Sequence, residues 1–480
     1  MRASAKATAS TAVVAGVGLI GLLARVAYFT DHRPILFSGV DGTWYSTVGH
    51  SFATGHLGTV PALGGGRVVS FRFPPAFPAV LGIGERVLFW MSTLHAQLWT
   101  CAVLGAIAAS LTAALVWRVS SRATPGVRLV LTAVAGLLIA LNPLVIGTTA
   151  TLMSESLYVP VVAGALLAAD HLVTSGSRVA GVTLGAVVAV GALTRSEGIV
   201  VLGAIVVAAV FAARVRSGRP ALVPGAIALA IGVAAVAGWS AFASVQAGRL
   251  VVMSTNGGSL ALGANCPLAW GGSGDGYWDS QCEALARHRI SASTRAQTDE
   301  VQRYTDAHAF TLGPELSPAR QAEVSSAQLG EALARIRAHP LRAAFAVPHR
   351  LARGLGLSTS SAQRSSEQFE GRIPWWDTPG RWLFALVILP LALVGTWSVL
   401  AHRSRAGAIA RGALEPVRLA PALVAVGAWL VVTASTYGST RFRAAAEPSF
   451  AVLATVGGLV VVLGAVHVLS RGERDVPVAA

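Results

Sequence analysis

The chain has 480 residues, of which 54% are hydrophobic and only 12% charged, and its formal net charge is +15. Soluble domains carry about 25% charged residues, so this composition excludes an ordinary soluble protein and indicates a lipid bilayer as solvent. The excess positive charge is mostly arginine, in short clusters between apolar segments. We therefore expect membrane lipids, and not nucleic acid, as partners of these cations.

Apolar segments recur along most of the chain, each about long enough for the hydrocarbon core at 1.5 Å per helical residue. They predict an all-α polytopic membrane protein with about ten transmembrane helices. The predicted spans are 11–29, 94–117, 127–142, 148–169, 179–193, 197–213, 221–243, 382–401, 418–436 and 448–469. The first is read as an uncleaved helix because its apolar run is long for a signal peptide.

Arginines in the connections predict the orientation of these spans. With ten spans, the arginine clusters of four connections and of the segment after the last span fall on the same side as Arg2 and Lys6. The clusters are Arg118, Arg122 and Arg128; Arg178; Arg214, Arg216 and Arg219; Arg403, Arg405, Arg411 and Arg418; and Arg471 and Arg474. Because positive loops stay inside, both termini are predicted to be cytoplasmic, in a multi-pass protein of the cytoplasmic membrane.

The opposite, extracytoplasmic side then receives three polar segments, residues 30–76, 244–380 and 437–447. We expect three parts: an N-terminal transmembrane module (1–243) whose first outer loop (30–76) holds the catalytic residue, an extracytoplasmic domain (244–380), and C-terminal transmembrane helices (381–480). The middle part is predicted to be a small mixed domain on the membrane surface. Cys266 and Cys282 lie in it and are predicted to form a disulfide if the compartment is oxidising, or else stay free thiols.

The first outer loop contains Asp41, Tyr45, Gly49 and Phe52 at helical spacing. This spacing predicts a short amphipathic helix with Asp41 at or near its N-terminal end. Two interpretations of Asp41 stay open, a helix cap and a general base that takes a proton from an acceptor hydroxyl. Further along, Arg72 precedes two prolines and either faces a phosphate or lies at the interface as a snorkelling side chain.

Ionisable residues also interrupt apolar sequence near the predicted outer surface. Glu155 begins one such motif, and Arg195 and Glu197 form another between two short spans. Charged groups at this depth are costly, so they pair with one another or serve a site. In the last outer loop Arg441 and Arg443 are separated by one residue, so that both could face one anion or lipid headgroups.

The sequence contains no P-loop, no dinucleotide-binding fingerprint and no zinc-ligand spacing. No cofactor is expected and no metal ligands are assigned. His50 and His56 follow Asp41 in the first loop and keep a divalent metal open as a weak alternative.

Taken in order, these segments resemble the polyprenyl-phosphate-dependent membrane glycosyltransferases of the GT-C fold, in particular actinobacterial members similar to the protein O-mannosyltransferases of family 39. The matching positions are Asp41, Tyr45, Gly49 and Gly55; Pro74 and Pro75; Ser154 and Glu155; Leu193, Thr194, Arg195 and Glu197; Asn265, Cys266, Gly276, Tyr277, Trp278 and Cys282; His339, Pro340, Arg350 and Arg353; and Arg441 and Arg443. The chain departs from the family at Gly42, where many relatives carry a second acidic residue, and at Ser196, where proline is usual.

The resemblance implies an inverting glycosyltransferase that takes a sugar from a polyprenyl monophosphate. It implies Asp41 as the general base, Tyr45, Glu155 and Glu197 in supporting roles, and arginines that stabilise the leaving phosphate. The candidate arginines are Arg72, Arg195, Arg350, Arg353, Arg441 and Arg443. Mannose and arabinose are both reasonable sugars, and the acceptor hydroxyl could belong to a protein, a glycan or a glycolipid. The alternatives are a transporter or flippase for a lipid-linked or anionic envelope substrate, and a non-catalytic glycolipid-binding protein.

Overall fold

The computed structural model describes residues 2–31, 40–218, 221–271, 274–308, 312–401 and 404–472. Arg219, Arg403 and Arg474, used above to predict orientation, lie outside these residues. The first half of the chain contains α1 (Arg2–Asp31), α2 (Val40–Ala53), β1 (Thr59–Pro61), β2 (Arg67–Val69), α3 (Ala76–Val87), α4 (Thr93–Val119), α5 (Pro125–Ala140), α6 (Pro143–Thr149), α7 (Glu155–Ser175), α8 (Arg178–Ala192), α9 (Gly198–Ser217) and α10 (Leu222–Ala247).

The second half begins with a polar segment and ends with three more apolar helices. It contains α11 (Gly257–Ala264), a 3₁₀ segment (Ser280–Arg289), α12 (Ala292–Ala307), α13 (Pro318–Ala338), α14 (Pro340–Leu355), α15 (Ser361–Phe369), α16 (Pro374–Leu383), a π turn (Phe384–Ile388), α17 (Leu389–Leu400), α18 (Arg405–Ala413), a 3₁₀ turn (Pro416–Leu419), α19 (Ala420–Ser435), a 3₁₀ turn (Thr440–Ala445) and α20 (Glu447–Gly472).

The described residues contain eight helices long and apolar enough to cross a bilayer, so the prediction of an all-α, multi-pass membrane protein is confirmed. They are α1, α4, α7, α9, α10, the continuous helix Pro374–Leu400, the helix Pro416–Ser435, and α20. The bent pair α5 and α6 would make a ninth. The prediction of about ten is therefore high by one or two, because α8 has only 15 residues and measures about 22 Å against a core of about 30 Å.

The predicted span 148–169 is shifted in the structure, where α7 begins at Glu155. Asn142 and Pro143 interrupt the apolar run: the Asn142 side chain accepts from the Leu144 amide at 3.1 Å, and Pro143 starts α6 at an angle of 56° to α5. The chain between α6 and α7 forms buried turns. These turns bring Ser154 and Glu155 to the end of α7 that faces the polar segments.

A buried arginine supports this helix break. Arg25 of α1 donates from Nε to Thr149 Oγ1 at 2.8 Å and from its terminal nitrogens to the carbonyls of Ile139 and Ala140, each at 3.3 Å. Those carbonyls belong to the last turn of α5, where helical partners are missing. The guanidinium therefore supplies hydrogen bonds to the C-terminal carbonyl groups of α5 at the bend, inside the bundle.

The connections between the helices gather on two faces. On one face, Asp170 at the end of α7 accepts from Arg118 at 2.6 Å and from Arg418 at 2.6 Å, and Arg216 bonds Glu415 at 2.9 Å. The arginine-bearing connections that the structure describes here are thus in mutual contact, as the predicted alternation of the spans requires. The compartment that each face meets stays a prediction.

The opposite side is called the site face below. It comprises the described parts of 40–92, 150–154, 193–197, 248–373 and 436–446. The first loop carries the antiparallel hairpin β1–β2, whose turn uses Gly64, Gly65 and Gly66 with φ between 77° and 100°. The described part of 244–380 is helical, and its one β contact is a bridge from Glu315 to Ala62 of the first loop. The site face is therefore mixed in secondary structure, with helices from the polar segment 244–380 and the two strands from the first loop.

The outer helices are anchored to the first loop and to one another by small apolar clusters. Phe71 is fully buried against Ala243 and Ala247 of α10 and Ala322 of α13. A disulfide joins Cys266 and Cys282, and Leu262 of α11 packs in the cluster between them and α13. These contacts hold the polar segment directly over the ends of the helices.

Candidate active site

Aromatic packing places Asp41 at the centre of the site face. Asp41 lies in the first turn of α2, as predicted, where the helix dipole favours a negative charge. One turn further, Tyr45 is buried, stacked on Phe73 at 5.2 Å between ring centroids and edge-on to Phe77 at 5.0 Å. Tyr45 therefore fixes α2 against the segment that carries Arg72, while the Asp41 side chain stays 27% exposed.

Arg441 connects four segments of the chain. Its Nη1 group donates to Asp41 Oδ2 at 3.2 Å and to Glu370 Oε1 at 3.0 Å, and its Nε donates to Glu155 Oε1 at 2.5 Å. Burial lowers the pKa of Arg441, but the carboxylates of Glu155, Glu370 and Asp41 outweigh burial and hold it well above its usual value. Arg441 is therefore a permanent cation among three carboxyl groups.

Arg195 forms the adjoining ion pairs. It donates to the carboxylates of both Glu155 and Glu197, and to Ser154 Oγ at 3.0 Å. Both pairings expected from the sequence are therefore present together. The guanidinium also lies over the Phe442 ring at 4.9 Å from the centroid, which joins the α8–α9 connection to the last loop.

Arg72 approaches Asp41 from the other side and has more freedom. Its Nη2 lies 4.0 Å from Asp41 Oδ1, and its side chain is 37% exposed. The buried Nε group has no hydrogen-bond partner among the described residues. Burial raises the pKa of the neighbouring Glu315, against the opposing charge of Arg72. Of the candidate arginines in this cluster, Arg72 is thus the most exposed, at 37% against 8% for Arg441 and 9% for Arg195.

Three arginines and four carboxyl groups form this cluster, so its charge depends on Glu370. Burial raises the pKa of Glu370 above its ordinary value, and Arg441 and Arg372 oppose that shift. Glu370 Oε2 is buried without a partner in the described chain, consistent with a carboxyl that is costly to ionise.

The other three candidate arginines do not join the cluster. Arg350 donates to the carbonyls of Ala434 and Ala264 at 2.9 and 2.8 Å, and Arg353 donates to Gln363 Oε1 at 2.9 Å. Arg443 is fully buried, pairs with Glu447 at 2.6 Å and lies 3.4 Å from the Phe384 centroid. These side chains connect the outer helices and the last loop to the bundle.

Glu370 is the member of the cluster that was not predicted from the sequence. It caps the C-terminal end of α15 and is followed by Gly371, which has a φ of 82°. A polar residue before a glycine is typical of the end of a helix. The local sequence pattern therefore accounts for a glutamate at position 370 without any role in a functional site. Its separation of 71 residues from Arg441 gives no signal in the sequence.

The two histidines near Asp41 have other partners. His50 Nδ1 lies 2.7 Å from Glu85 Oε1, and His56 Nδ1 lies 3.2 Å from Thr54 Oγ1. Within the described ranges no group of three or more His, Cys, Asp or Glu residues is arranged to hold a metal ion. The cation that the carboxylates of this site surround is the guanidinium of Arg441.

No family model and no curated protein sequence matches the chain. Among solved structures, it is similar to the archaeal oligosaccharyltransferase AglB from Archaeoglobus fulgidus in complex with an inhibitory peptide and a dolichol-phosphate. The sequence identity is 14% and the TM-score is 0.48. The alignment covers 98% of this chain and 52% of the AglB chain. It is also similar to ArnT from Cupriavidus metallidurans bound to undecaprenyl phosphate, with 15% identity and a TM-score of 0.37. That alignment covers 93% of this chain and 78% of the ArnT chain. The chain spans about half the length of AglB.

Proposed function

We propose that the protein is an inverting glycosyltransferase of the cytoplasmic membrane that moves a sugar from a polyprenyl monophosphate to an acceptor hydroxyl on the extracytoplasmic face. The observation that carries the proposal is a partly exposed carboxylate, Asp41, with Arg72 on one side and Arg441 on the other. The family resemblance of the motifs supports the choice of donor, and the arginine-bearing connections on the opposite face support the choice of side.

In the proposed reaction Asp41 acts as general base. Its carboxylate takes the proton from the acceptor hydroxyl while the hydroxyl oxygen attacks the anomeric carbon of the sugar. The bond between that carbon and the phosphate oxygen breaks, and its electron pair leaves with the polyprenyl phosphate. Attack opposite to the leaving group inverts the configuration at the anomeric carbon.

We assign stabilisation of the leaving phosphate to Arg72. Its side chain is partly exposed and its Nη2 lies as far as 4.0 Å from Asp41, so a phosphate oxygen can approach the exposed part of the guanidinium without breaking a close ion pair. Arg441 and Arg195, which are engaged by carboxylates, instead hold Asp41 in position. Because these guanidinium groups supply the positive charge, we propose that no cofactor takes part.

An assay of sugar transfer with purified protein in liposomes tests this proposal. The donors are mannosyl and arabinosyl polyprenyl phosphates carrying a labelled sugar, offered with hydroxyl acceptors from envelope glycans, glycolipids and Ser/Thr peptides. Asp41→Asn is expected to lower transfer about 100-fold or more, as general-base loss does. Asp306→Asn, the same change on the exposed surface of α12, is the control. Chelation with EDTA is expected to leave transfer unchanged.

Other outcomes would contradict the proposal in distinct ways. Transfer by Asp41→Asn at the rate of the Asp306→Asn control would exclude the aspartate as base. Movement of the lipid-linked sugar across the liposome bilayer without any glycosylated product would favour the transporter or flippase alternative.

A further inference from the structure

An apolar groove runs along α7, between α4 and α8, with a volume of about 670 Å³. Gly164 forms its floor at mid-length: a Cβ atom added there would meet Leu111 of α4 and Val187 of α8, each at 3.7 Å. The two walls therefore approach each other across a glycine, and no side chain fills the space between them.

The groove has the dimensions of a single hydrocarbon chain. It extends along α7 from Leu157 to His171, which is about 21 Å at 1.5 Å per residue. One leaflet contributes roughly half of a 30 Å hydrocarbon core, so one extended chain that begins at the His171 end fills most of this length. A polyprenyl carrier with its phosphate at Arg72 would have to enter from the opposite end of α7.

One cationic side chain, Arg118, and the imidazole of His171 lie at one end of this otherwise apolar groove. Arg118 is 39% exposed and uses its Nε and Nη2 groups for Asp170 and Thr174. Its Nη1 has no hydrogen-bond partner among the described residues. Asp170 is shared with Arg418, and Glu415 is shared between Arg418 and Arg216, so three arginines share two carboxylates here and one positive charge is left over.

We propose that the groove between α4, α7 and α8 binds an anionic phospholipid, with one acyl chain over Gly164 and the phosphate at Arg118 and His171. Charge complementarity favours an anionic headgroup at this end, and such attraction raises lipid affinity about fivefold for each cation near the surface. The site is separate from the Asp41 cluster and does not depend on the proposed transferase activity.

The test compares the lipids retained by purified protein after exchange into mixed micelles containing phosphatidylglycerol or phosphatidylcholine, measured by native mass spectrometry. Wild-type protein is expected to retain phosphatidylglycerol in preference to phosphatidylcholine. Gly164→Leu fills the groove and is expected to abolish this retention. Gly238→Leu is the matched control, because Gly238 lies on the exposed side of α10 with no atom within 4 Å of an added Cβ.

Ala186→Trp provides a second filling variant on the exposed side of α8, in case Gly164→Leu disturbs folding. Arg118→Gln combined with His171→Gln is expected to reduce the preference for phosphatidylglycerol about fivefold, since one cation is removed. Equal retention of phosphatidylglycerol by Ala186→Trp and Gly238→Leu would overturn the proposal. Equal retention of both lipids by wild-type protein, or displacement of phosphatidylglycerol by equimolar polyprenyl phosphate, would do so too.

Discussion

Asp41 and Glu370 share a single donor, the Nη1 group of Arg441, at 3.2 and 3.0 Å. Arg441 is also held from behind by the fully buried Glu155. The carboxylate of Asp41 is therefore oriented by a cation that cannot easily move, while its second oxygen faces Arg72 across 4.0 Å. This asymmetry assigns Arg441 to positioning and leaves the Arg72 side open for a substrate.

Replacement of Arg72 tests this division of roles. Arg72→Gln is expected to lower kcat about 100-fold with a small effect on KM, because one preorganised donor to the leaving group is removed. Arg72→Lys should retain part of the rate, because lysine keeps the positive charge but lacks the planar, paired donors of a guanidinium. Arg67→Gln is the control, since Arg67 lies on the exposed hairpin and, in the part of the chain that the structure describes, bonds Thr59 alone. Equal kcat values for Arg72→Gln and Arg67→Gln would count against the assignment.

Glu370 is expected to make the stability of the protein dependent on pH. Because its pKa is raised by burial, its contribution to stability is present below the ordinary value of 4.5 and is lost as the pH rises through the raised value. Glu370→Gln should therefore flatten the decline of the melting temperature from pH 4.5 upwards. Glu300→Gln on the exposed surface of α12 serves as control. An unchanged slope in Glu370→Gln would contradict the raised pKa.

Much of the cluster could be predicted at the level of residues. Asp41, Glu155, Arg195 and Arg441 each stand out as ionisable groups beside apolar sequence, where an isolated charge is costly. The same logic also selected Arg443, which pairs with Glu447 away from the cluster. A single sequence cannot distinguish these two outcomes, because both satisfy a buried arginine with a carboxylate.

Among the elements, the break between α5 and α6 depends on close packing around Arg25. Gly105 of α4 lies against this side chain: an added Cβ would come within 1.9 Å of Arg25 Nε. A glycine is therefore required opposite the guanidinium, which in turn satisfies the last carbonyls of α5. The two positions should respond to mutation as a unit.

A double-mutant cycle measures this coupling. Gly105→Ala is expected to destabilise the protein by clashing with Arg25, and Arg25→Met by leaving the α5 carbonyls without donors. The combined variant should be more stable than the sum of the two effects predicts, by about 1–3 kcal/mol. Thermal unfolding in detergent gives the three values. Additive effects, within error, would show that Gly105 has another role.

The positions of most helices could be predicted from hydropathy, except where turns interrupt an uncharged stretch of sequence. Apolar runs predicted the positions of most spans, and the spacing of Asp41 and Tyr45 predicted α2. The start of α7 was misplaced because residues 148–154 carry no charge, but 148–149 end α6 and 150–154 form turns buried within the protein. Hydropathy does not distinguish burial in lipid from burial in protein.

At the scale of the whole molecule, α7 connects two charge clusters on opposite faces. Glu155 at its first residue joins the Asp41 cluster, and Asp170 near its other end binds Arg118 and Arg418. The two carboxylates are separated by 15 helical residues, about 22 Å. Asp170 therefore contributes to the assembly of the bundle, and its ion-pair partners among the described residues lie outside the Asp41 cluster.

Asp170→Asn is expected to lower the free energy of unfolding by about 3–5 kcal/mol, because it leaves buried arginine charge without its partner. Glu415→Gln removes a more exposed pair with Arg216 and a longer contact with Arg418, at 3.9 Å, and should cost about 1 kcal/mol or less. Denaturant titration in mixed micelles compares them, and sugar transfer at low temperature should be retained in both. Equal stability of the two variants would refute the structural role of Asp170.

A structure with a polyprenyl-phosphate sugar bound tests the proposed mechanism most directly. The expected result is a phosphate oxygen within hydrogen-bond reach of Arg72, roughly 2.6–3.2 Å, with the anomeric carbon facing Asp41 and space for one hydroxyl between them. Glu155, Arg195 and Arg441 should keep their present contacts. A donor whose sugar lies away from Asp41, or whose phosphate binds at Arg118 and His171, would contradict it.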